Sequence, residues 1–240
     1  MQAIVMAGGK GTRLAPFTAT FPKPLVPLGD MPVLEVLLRQ LRRAGIDEVI
    51  LAVNHLHQLI RAFCGDGSAF GLRIDYSLED EPLGTAGPIA ALLDRVGETF
   101  LVANGDLLTS FDIAAMIAAH RDAGADASIA IYQREIKVDF GLVETDAAMR
   151  LTGYREKPSY THQVSMGLYV LEREAVRPHL QPARRFDMPD LMQALLAAGR
   201  TVQCQAQDCV WLDIGRPEDY ADAQLLFAQN RSLFCPDSRI

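Results

Sequence analysis

Residues 2–14 read Gln2-Ala3-Ile4-Val5-Met6-Ala7-Gly8-Gly9-Lys10-Gly11-Thr12-Arg13-Leu14, an apolar run that breaks into three glycines within four positions. A short apolar run bounded by glycine reads as a buried strand, and the glycines let backbone approach a ligand closely. The exposed N–H groups of such a turn form an anion-binding nest, and Arg13 adds a permanently charged fork suited to phosphate. The spacing lacks the Gly-x-x-x-x-Gly-Lys-Ser/Thr of a Walker A loop. It also departs from the dinucleotide fingerprint Gly-x-Gly-x-x-Gly, because Leu14 stands where the last glycine belongs. Asp30 lies at about the distance of a ribose-binding acid, so a dinucleotide site and a plain tight turn stay open beside the anion nest.

Outward from this stretch, apolar runs alternate with amphipathic ones. Residues 33–44 place Leu34, Leu37, Leu38 and Leu41 on one helical face, and Gly45 is positioned to end that helix. Strands are expected over Glu48–Val53, 73–78 and Thr99–Ala103, with helices over 57–64 and from Thr85 to Val96. Such alternation predicts an α/β fold: a Rossmann-like, mixed but mostly parallel sheet flanked by helices in a three-layer α/β/α arrangement. Ligands bind outside the carboxyl ends of strands in these sheets. The glycine loop and Asn104-Gly105-Asp106 both follow strand ends and are expected to share one crevice. In the second half, strands are expected over 127–132, 140–145, 150–156 and 165–171. A helix follows from Pro189 to Ala198, and a closing helix after Pro217, which suits a first helical turn. No linker, low-complexity segment or internal repeat interrupts residues 1–240, which read as one domain.

The hydrophobic fraction of 49% and charged fraction of 22% are those of a globular chain rather than a disordered one. A formal net charge of -7 argues against a general nucleic-acid partner but not against a small anionic ligand. Any phosphate site must then be built locally from a few cations, backbone N–H groups and a metal. Cys64, Cys204, Cys209 and Cys235 form no Cys-x-x-Cys pair and read as reduced thiols. No basic leader and no run of about 18 apolar residues is present, so no membrane association and a cytoplasmic location are expected. His55 and His57 have no evident third ligand beside them and read as surface or helix-start histidines.

Met6-Ala7-Gly8-Gly9-Lys10-Gly11-Thr12-Arg13-Leu14 resembles the N-terminal motif of the sugar-phosphate nucleotidylyltransferases, which include the mannose-1-phosphate guanylyltransferases; Pro22-Lys23-Pro24-Leu25 follows at the family's usual distance. With Leu83-Gly84-Thr85-Ala86-Gly87, Asn104-Gly105-Asp106, Glu156-Lys157-Pro158 and Trp211-Leu212-Asp213-Ile214-Gly215, the resemblance extends from Met1 to about Leu226. It implies a fold of the nucleotide-diphospho-sugar transferase type, with a nucleotide-binding half (1–110) and a sugar-phosphate-binding half (111–240). It also implies a short form without the β-helix that long members carry, and an enzyme joining a nucleoside triphosphate to a sugar 1-phosphate with Mg²⁺. On this resemblance Ala7, Gly8, Gly9, Gly11, Thr12, Arg13 and Lys23 hold the triphosphate, and Glu79, Gly84 and Asn104 complete the nucleotide site. Asp106 and Asp213 hold Mg²⁺, although an aspartate at a strand end is by itself usually a cap or turn residue. Lys157 contacts the phosphate of the sugar and Glu156 its hydroxyls, while Gly141, Ser165 and Gly167 surround the ring. Arg13, Lys23 and Lys157 are the expected catalytic cations.

Glu79 occupies the position that often meets the Watson–Crick edge of the base. A carboxylate accepts from both N1–H and the 2-amino group of guanine, whereas uracil and thymine offer one N–H and cytosine only an amino group. GTP is therefore expected, and the resemblance of Leu83-Gly84-Thr85-Ala86-Gly87, after an acidic segment, to the mannose-1-phosphate guanylyltransferase branch implies a manno-configured sugar 1-phosphate. The alternatives are uridylyl, cytidylyl or thymidylyl transfer to heptose, glucose or N-acetylmuramate phosphates, and, in a different class, a non-catalytic sugar-nucleotide sensor. Many relatives carry Asn-Ala-Gly where this chain has Ser165-Met166-Gly167, so the sugar stays open. A homo-oligomer is compatible with the exposed helices, and nothing in the sequence requires one.

Overall fold

A computed structural model describes residues 1–9, 11–14, 17–215 and 217–235. The first half runs through β1 (Gln2–Met6), a short hairpin of β2 (Pro27–Leu28) and β3 (Met31–Pro32), α1 (Val33–Arg43), β4 (Glu48–Val53), α2 (His57–Cys64), β5 (Arg73–Leu78), α3 (Gly87–Ala90) and β6 (Thr99–Asn104). The second half continues through β7 (Leu107–Thr109), α4 (Ile113–Ala123), β8 (Ala127–Lys137), β9 (Leu142–Thr145), β10 (Leu151–Arg155), β11 (Ser159–Glu172), α5 (Arg173–Val176), α6 (Met188–Ala197), β12 (Val202–Ala206), β13 (Trp211–Asp213), α7 (Pro217–Gln229) and α8 (Arg231–Phe234).

Seven strands form the central sheet in the order β12-β8-β11-β6-β1-β4-β5. Strands β6, β1, β4 and β5 are parallel, as are β8 and β12, and β11 runs antiparallel to both β6 and β8. The expected mixed, mostly parallel sheet is thus observed. Alternation along β1 sends Ala3 and Val5 to one face, where they pack with Leu34, Leu37 and Leu41 of α1, Ile60 of α2 and Met116 of α4. Ile4 faces the other way, with Ile89 of α3, Val176 of α5 and Leu191 and Leu195 of α6. These two cores make the three layers. A third core, under α7 and α8, joins Leu14, Leu28, Val36, Ile214, Phe227 and Phe234 and ties the C-terminal helices to the loop after β1. Leu37 and Leu38 are fully buried, and truncating either to alanine is expected to cost about 2–5 kcal/mol. Burial pushes the Cys64 thiol up to about 12, in keeping with a structural, protonated cysteine.

The structure corrects the expected helix from Thr85 to Val96, which is one α-turn, Gly87–Ala90, and a separate 3₁₀ turn, Leu93–Arg95. The N–H groups of Ala86 and Gly87 both donate to Phe186 O at 2.9 Å, so the segment is anchored to another part of the chain at its start. Helix α4 has no counterpart in the sequence expectations. Asp112 caps it by accepting from Ala115 N at 2.9 Å, and Gly124 ends it at φ 57°. Strands β8 and β11 extend beyond the expected 127–132 and 165–171, into a ladder that pairs Ser159 with Lys137. Among the described residues, no helix is long and apolar enough to cross a membrane.

Candidate active site

Strands β1, β4 and β6 lie side by side and parallel, so their carboxyl ends open on one edge of the sheet, and the glycine loop folds over it. A Cβ on Gly8 would stand 3.2 Å from Glu79 Oε1 and 3.3 Å from Asn54 Cβ. Gly11 has φ +61°, and a Cβ there would lie 2.9 Å from Thr18 Cγ2 and 3.1 Å from Lys23 Cβ. Thr18 Oγ1 and Leu14 N both donate to Gly11 O, at 2.7 and 2.8 Å, and hold this turn. Gly9 differs, because nothing lies within 4 Å of where its Cβ would be. The loop is thus packed by protein at Gly8 and Gly11 and open at Gly9. Ala7 is buried and donates its N–H to Ala52 O at 2.8 Å, which sets the departure of the loop from the sheet. Lys10 of the motif lies outside the described residues.

The loop borders a cleft of about 390 Å³ whose walls include Gly8, Gly9, Gly11, Thr12, Arg13, Lys23, Glu79, Gly84, Asn104 and Asp106. Every residue expected to bind nucleotide except Ala7 is among them. Gly105 N donates to Met6 O at 3.0 Å, which draws the end of β6 against β1. Strand β13 pairs with β7 so that Asp213 faces Leu107, and this brings Asp213 alongside Asp106. The Lys23 ammonium is ion-paired with Asp106 and lies 3.7 Å from Asp213 Oδ1. Two carboxylates therefore converge on a single cation. Burial first, then the neighbouring Asp106 carboxylate, raise the pKa of Asp213, while Lys23 and Arg13 pull it down. Among the described residues no group of three or more His, Cys, Asp or Glu side chains forms a metal cage. A pair of hard oxygen ligands fits Mg²⁺, which usually takes one or two carboxylates and completes its shell with phosphates and water.

Beside Gly8, Glu79 N donates to Val53 O at 2.9 Å, and Asn54 Nδ2 donates to Glu79 O at 2.9 Å. Burial raises the pKa of the Glu79 carboxyl, and a hydrogen bond from Leu83 N at 3.2 Å opposes that shift. Asn54 lines the cleft but has no place in the sequence expectations. Its signal was available, since it follows β4 as Asn104-Gly105-Asp106 ends and follows β6.

A smaller cavity of about 120 Å³ adjoins the carboxylate pair and is lined by Asn104, Asp106, Ser165, Gly167, Trp211 and Asp213, among others. The β11–β8 register shifts between Ser165 and Tyr169. Gly167 sits in this bulge at φ +77°, where a side chain would run into the Asn104 amide. Tyr169 OH is 2.8 Å from Ser165 Oγ. Gly141 lies against Tyr154 and Glu156, whose carboxylate accepts from Tyr154 OH at 3.1 Å. Lys157 is exposed and takes φ +41°. The structure thus gathers Ser165 and Gly167 at the carboxylate pair, whereas Gly141, Glu156 and Lys157 line neither cavity.

Comparison with known proteins gives a consistent picture. The nucleotidyl transferase family model matches residues 2–230. The chain is 37% identical over 227 residues to the mannose-1-phosphate guanylyltransferase of Mycobacterium tuberculosis, a match covering 92% of this chain and 62% of that protein. It is 32% identical over 242 residues to the UTP–glucose-1-phosphate uridylyltransferase of Synechocystis, with 93% and 62% covered. The chain therefore spans about three fifths of the length of these relatives. The crystal structure of HddC from Yersinia pseudotuberculosis is similar at a TM-score of 0.74 and 26% identity, over 94% of this chain and 99% of that one. The same protein complexed with GMP-PN gives a TM-score of 0.71 at 25% identity.

Proposed function

The chain belongs to the nucleotidyl transferase family, and from that premise we propose that it transfers a nucleotidyl group from GTP to mannose 1-phosphate or a manno-configured relative, releasing pyrophosphate. One observation carries the reaction class: the glycine loop, Lys23, Asp106 and Asp213 come from distant parts of the chain and meet at one cleft edge. For guanine, the support is the half-buried Glu79 carboxylate in the same cleft, the Mycobacterium relative, and the solved relative complexed with GMP-PN. A second pair, UTP and glucose 1-phosphate, is favoured by the Synechocystis relative.

The nucleophile is a sugar phosphate oxygen, and its second pKa of about 6 leaves it largely ionised at neutral pH. No general base is needed, and the task is to align two anions for in-line displacement. The loop N–H groups and Arg13 hold the β- and γ-phosphates and stabilise the departing pyrophosphate. Lys23 neutralises triphosphate charge, and Lys157 orients the sugar phosphate, with Glu156, Ser165, Gly141 and Gly167 around the ring. Asp106 and Asp213 hold Mg²⁺, which when bound neutralises phosphate charge as a Lewis acid. Residues 1–110 bind the nucleotide and residues 111–240 the sugar phosphate, save that Asp213 and Gly215 return to the nucleotide side. Pyrophosphate release measured with each of four nucleoside triphosphates against a panel of sugar 1-phosphates, with Mg²⁺, tests this. The highest kcat/KM is expected for GTP with mannose 1-phosphate; no turnover with any pair would overturn the enzyme reading.

A further inference from the structure

Helix α6 is capped in an unusual way. Asp187 stands at its N-cap, where an aspartate ordinarily accepts from an N–H in the first turn of its own helix. Its carboxylate makes no such bond. Asp187 Oδ1 instead accepts from Thr85 N at 2.9 Å and from Thr85 Oγ1 at 3.3 Å. The first N–H of α6, that of Met188, donates to Thr85 Oγ1 at 2.7 Å. Loop and helix have exchanged caps. Thr85 satisfies the orphan donor of α6, and the aspartate that would have done so holds Thr85.

This exchange holds the segment that walls the base end of the cleft. Phe186 N donates to Leu83 O at 2.9 Å, and Phe186 O accepts from Ala86 N and Gly87 N at 2.9 Å. Between these anchors Gly84 adopts φ +82°, and a Cβ there would lie 2.6 Å from both Asp187 Oδ1 and Phe186 O. The other end of the same segment is tied to Glu79 through Leu83 N. The path of Gly84 and Thr85 along the cleft is therefore set from outside it, by the start of α6.

We propose that Asp187 is a positioning residue for the nucleobase: through Thr85 it fixes the backbone of residues 83–85 against which the base lies, and so sets triphosphate affinity and base preference. This rests on the nucleotidyl-transfer reading above. Asp187 lines neither cavity of the site and touches no reacting group, so its loss should act on triphosphate binding and leave the chemical step alone.

The test uses the full chain, with steady-state pyrophosphate release and calorimetric titration of GTP in the presence of Mg²⁺. For Asp187→Ala the triphosphate KM is expected to rise about tenfold, the equivalent of about 1.4 kcal/mol and of about one net hydrogen bond. The kcat at saturation and the KM for the sugar phosphate should stay within about twofold, and the ratio of kcat/KM for GTP over UTP should fall. Asp187→Asn keeps an acceptor oxygen for Thr85 N and should restore most of the affinity. Unchanged triphosphate KM and unchanged preference in Asp187→Ala would overturn the proposal. So would an Asp187→Asn variant as impaired as Asp187→Ala, which would make the charge and not the hydrogen bond decisive. Should Asp187→Ala be recovered unfolded, Asp187→Gly, the less costly N-cap replacement, which also removes the carboxylate, is held to the same criteria. A wild-type chain that neither binds nor turns over any triphosphate would refute the nucleotidyl-transfer reading itself, a result separable from a variant that matches an active wild type.

Discussion

Gly9→Ala separates a phosphate cradle from a plain turn. Gly9 is exposed, has no positive φ, and has nothing within 4 Å of its Cβ position. The protein alone gives no reason for glycine here. Alanine should stabilise the fold by about 0.4–1 kcal/mol through lost unfolded-state entropy, raising Tm by about 1–4 °C for a chain of this size. A phosphate oxygen held by loop N–H groups lies about 2.9 Å from the nitrogen, so the new methyl group intrudes where carbon contacts need about 3.5 Å. Overpacking of this kind costs about 1–3 kcal/mol, or about 5- to 150-fold in affinity. The contrast is Gly11→Ala, where φ +61° and the 2.9 Å approach to Thr18 Cγ2 strain the folded chain. A left-handed alanine costs about 1–2 kcal/mol, which lowers Tm by about 2–8 °C. Thermal unfolding monitored by circular dichroism, paired with calorimetric titration of GTP and Mg²⁺, reads both effects. Gly9→Ala that binds GTP as the wild type does would refute the cradle.

Asp106→Asn should abolish Mg²⁺-dependent turnover while circular dichroism and thermal unfolding show an intact fold; an active variant would remove Asp106 from the metal site. Burial raises Glu79 above its ordinary 4.5, so its charged form costs the fold stability above the raised pKa, and that cost is relieved as pH falls through it. Base binding by the carboxylate runs the other way: GTP affinity is expected to drop as pH falls through the same pKa, and titrations in Glu79→Gln should lose that pH dependence. Gly167→Ala, at φ +77°, should force the Asn104 amide aside, raising KM for both substrates because Asn104 lines both cavities; an unaltered KM for either would contradict that shared wall.

Much of the first half was legible because each apolar run has one period. Gln2–Met6, Glu48–Val53 and Arg73–Leu78 alternate or run apolar between turn residues, and α1 puts four leucines on one face. Helix α4 was hidden by its own core. Its buried face includes His120, held between Ser128 Oγ at 2.9 Å and Glu172 Oε1 at 3.1 Å, so a polar residue interrupts the apolar stripe. The outer ladder of β8 and β11 is largely exposed, Arg134, Glu135, Ile136, Thr161 and His162 among its open residues, so its residue types carry little burial signal. The exchange between Thr85 and Asp187 joins residues a hundred positions apart, and no local pattern encodes it. At the site, the motif residues expected to bind nucleotide, Ala7 apart, line one cleft. Asn54 was passed over although its place just after β4 could have marked it.

The hairpin of β9 and β10 forms a two-stranded sheet of its own, apart from the seven-stranded one. In the proposed enzyme it carries Gly141 and leads into Glu156 and Lys157, whereas the base-reading segment is bound into α6 and the β4–β5 edge. In that enzyme part of the sugar side can be edited in one outlying hairpin, with Ser165 and Gly167 left in place on β11, while a change of base must be negotiated with the scaffold itself.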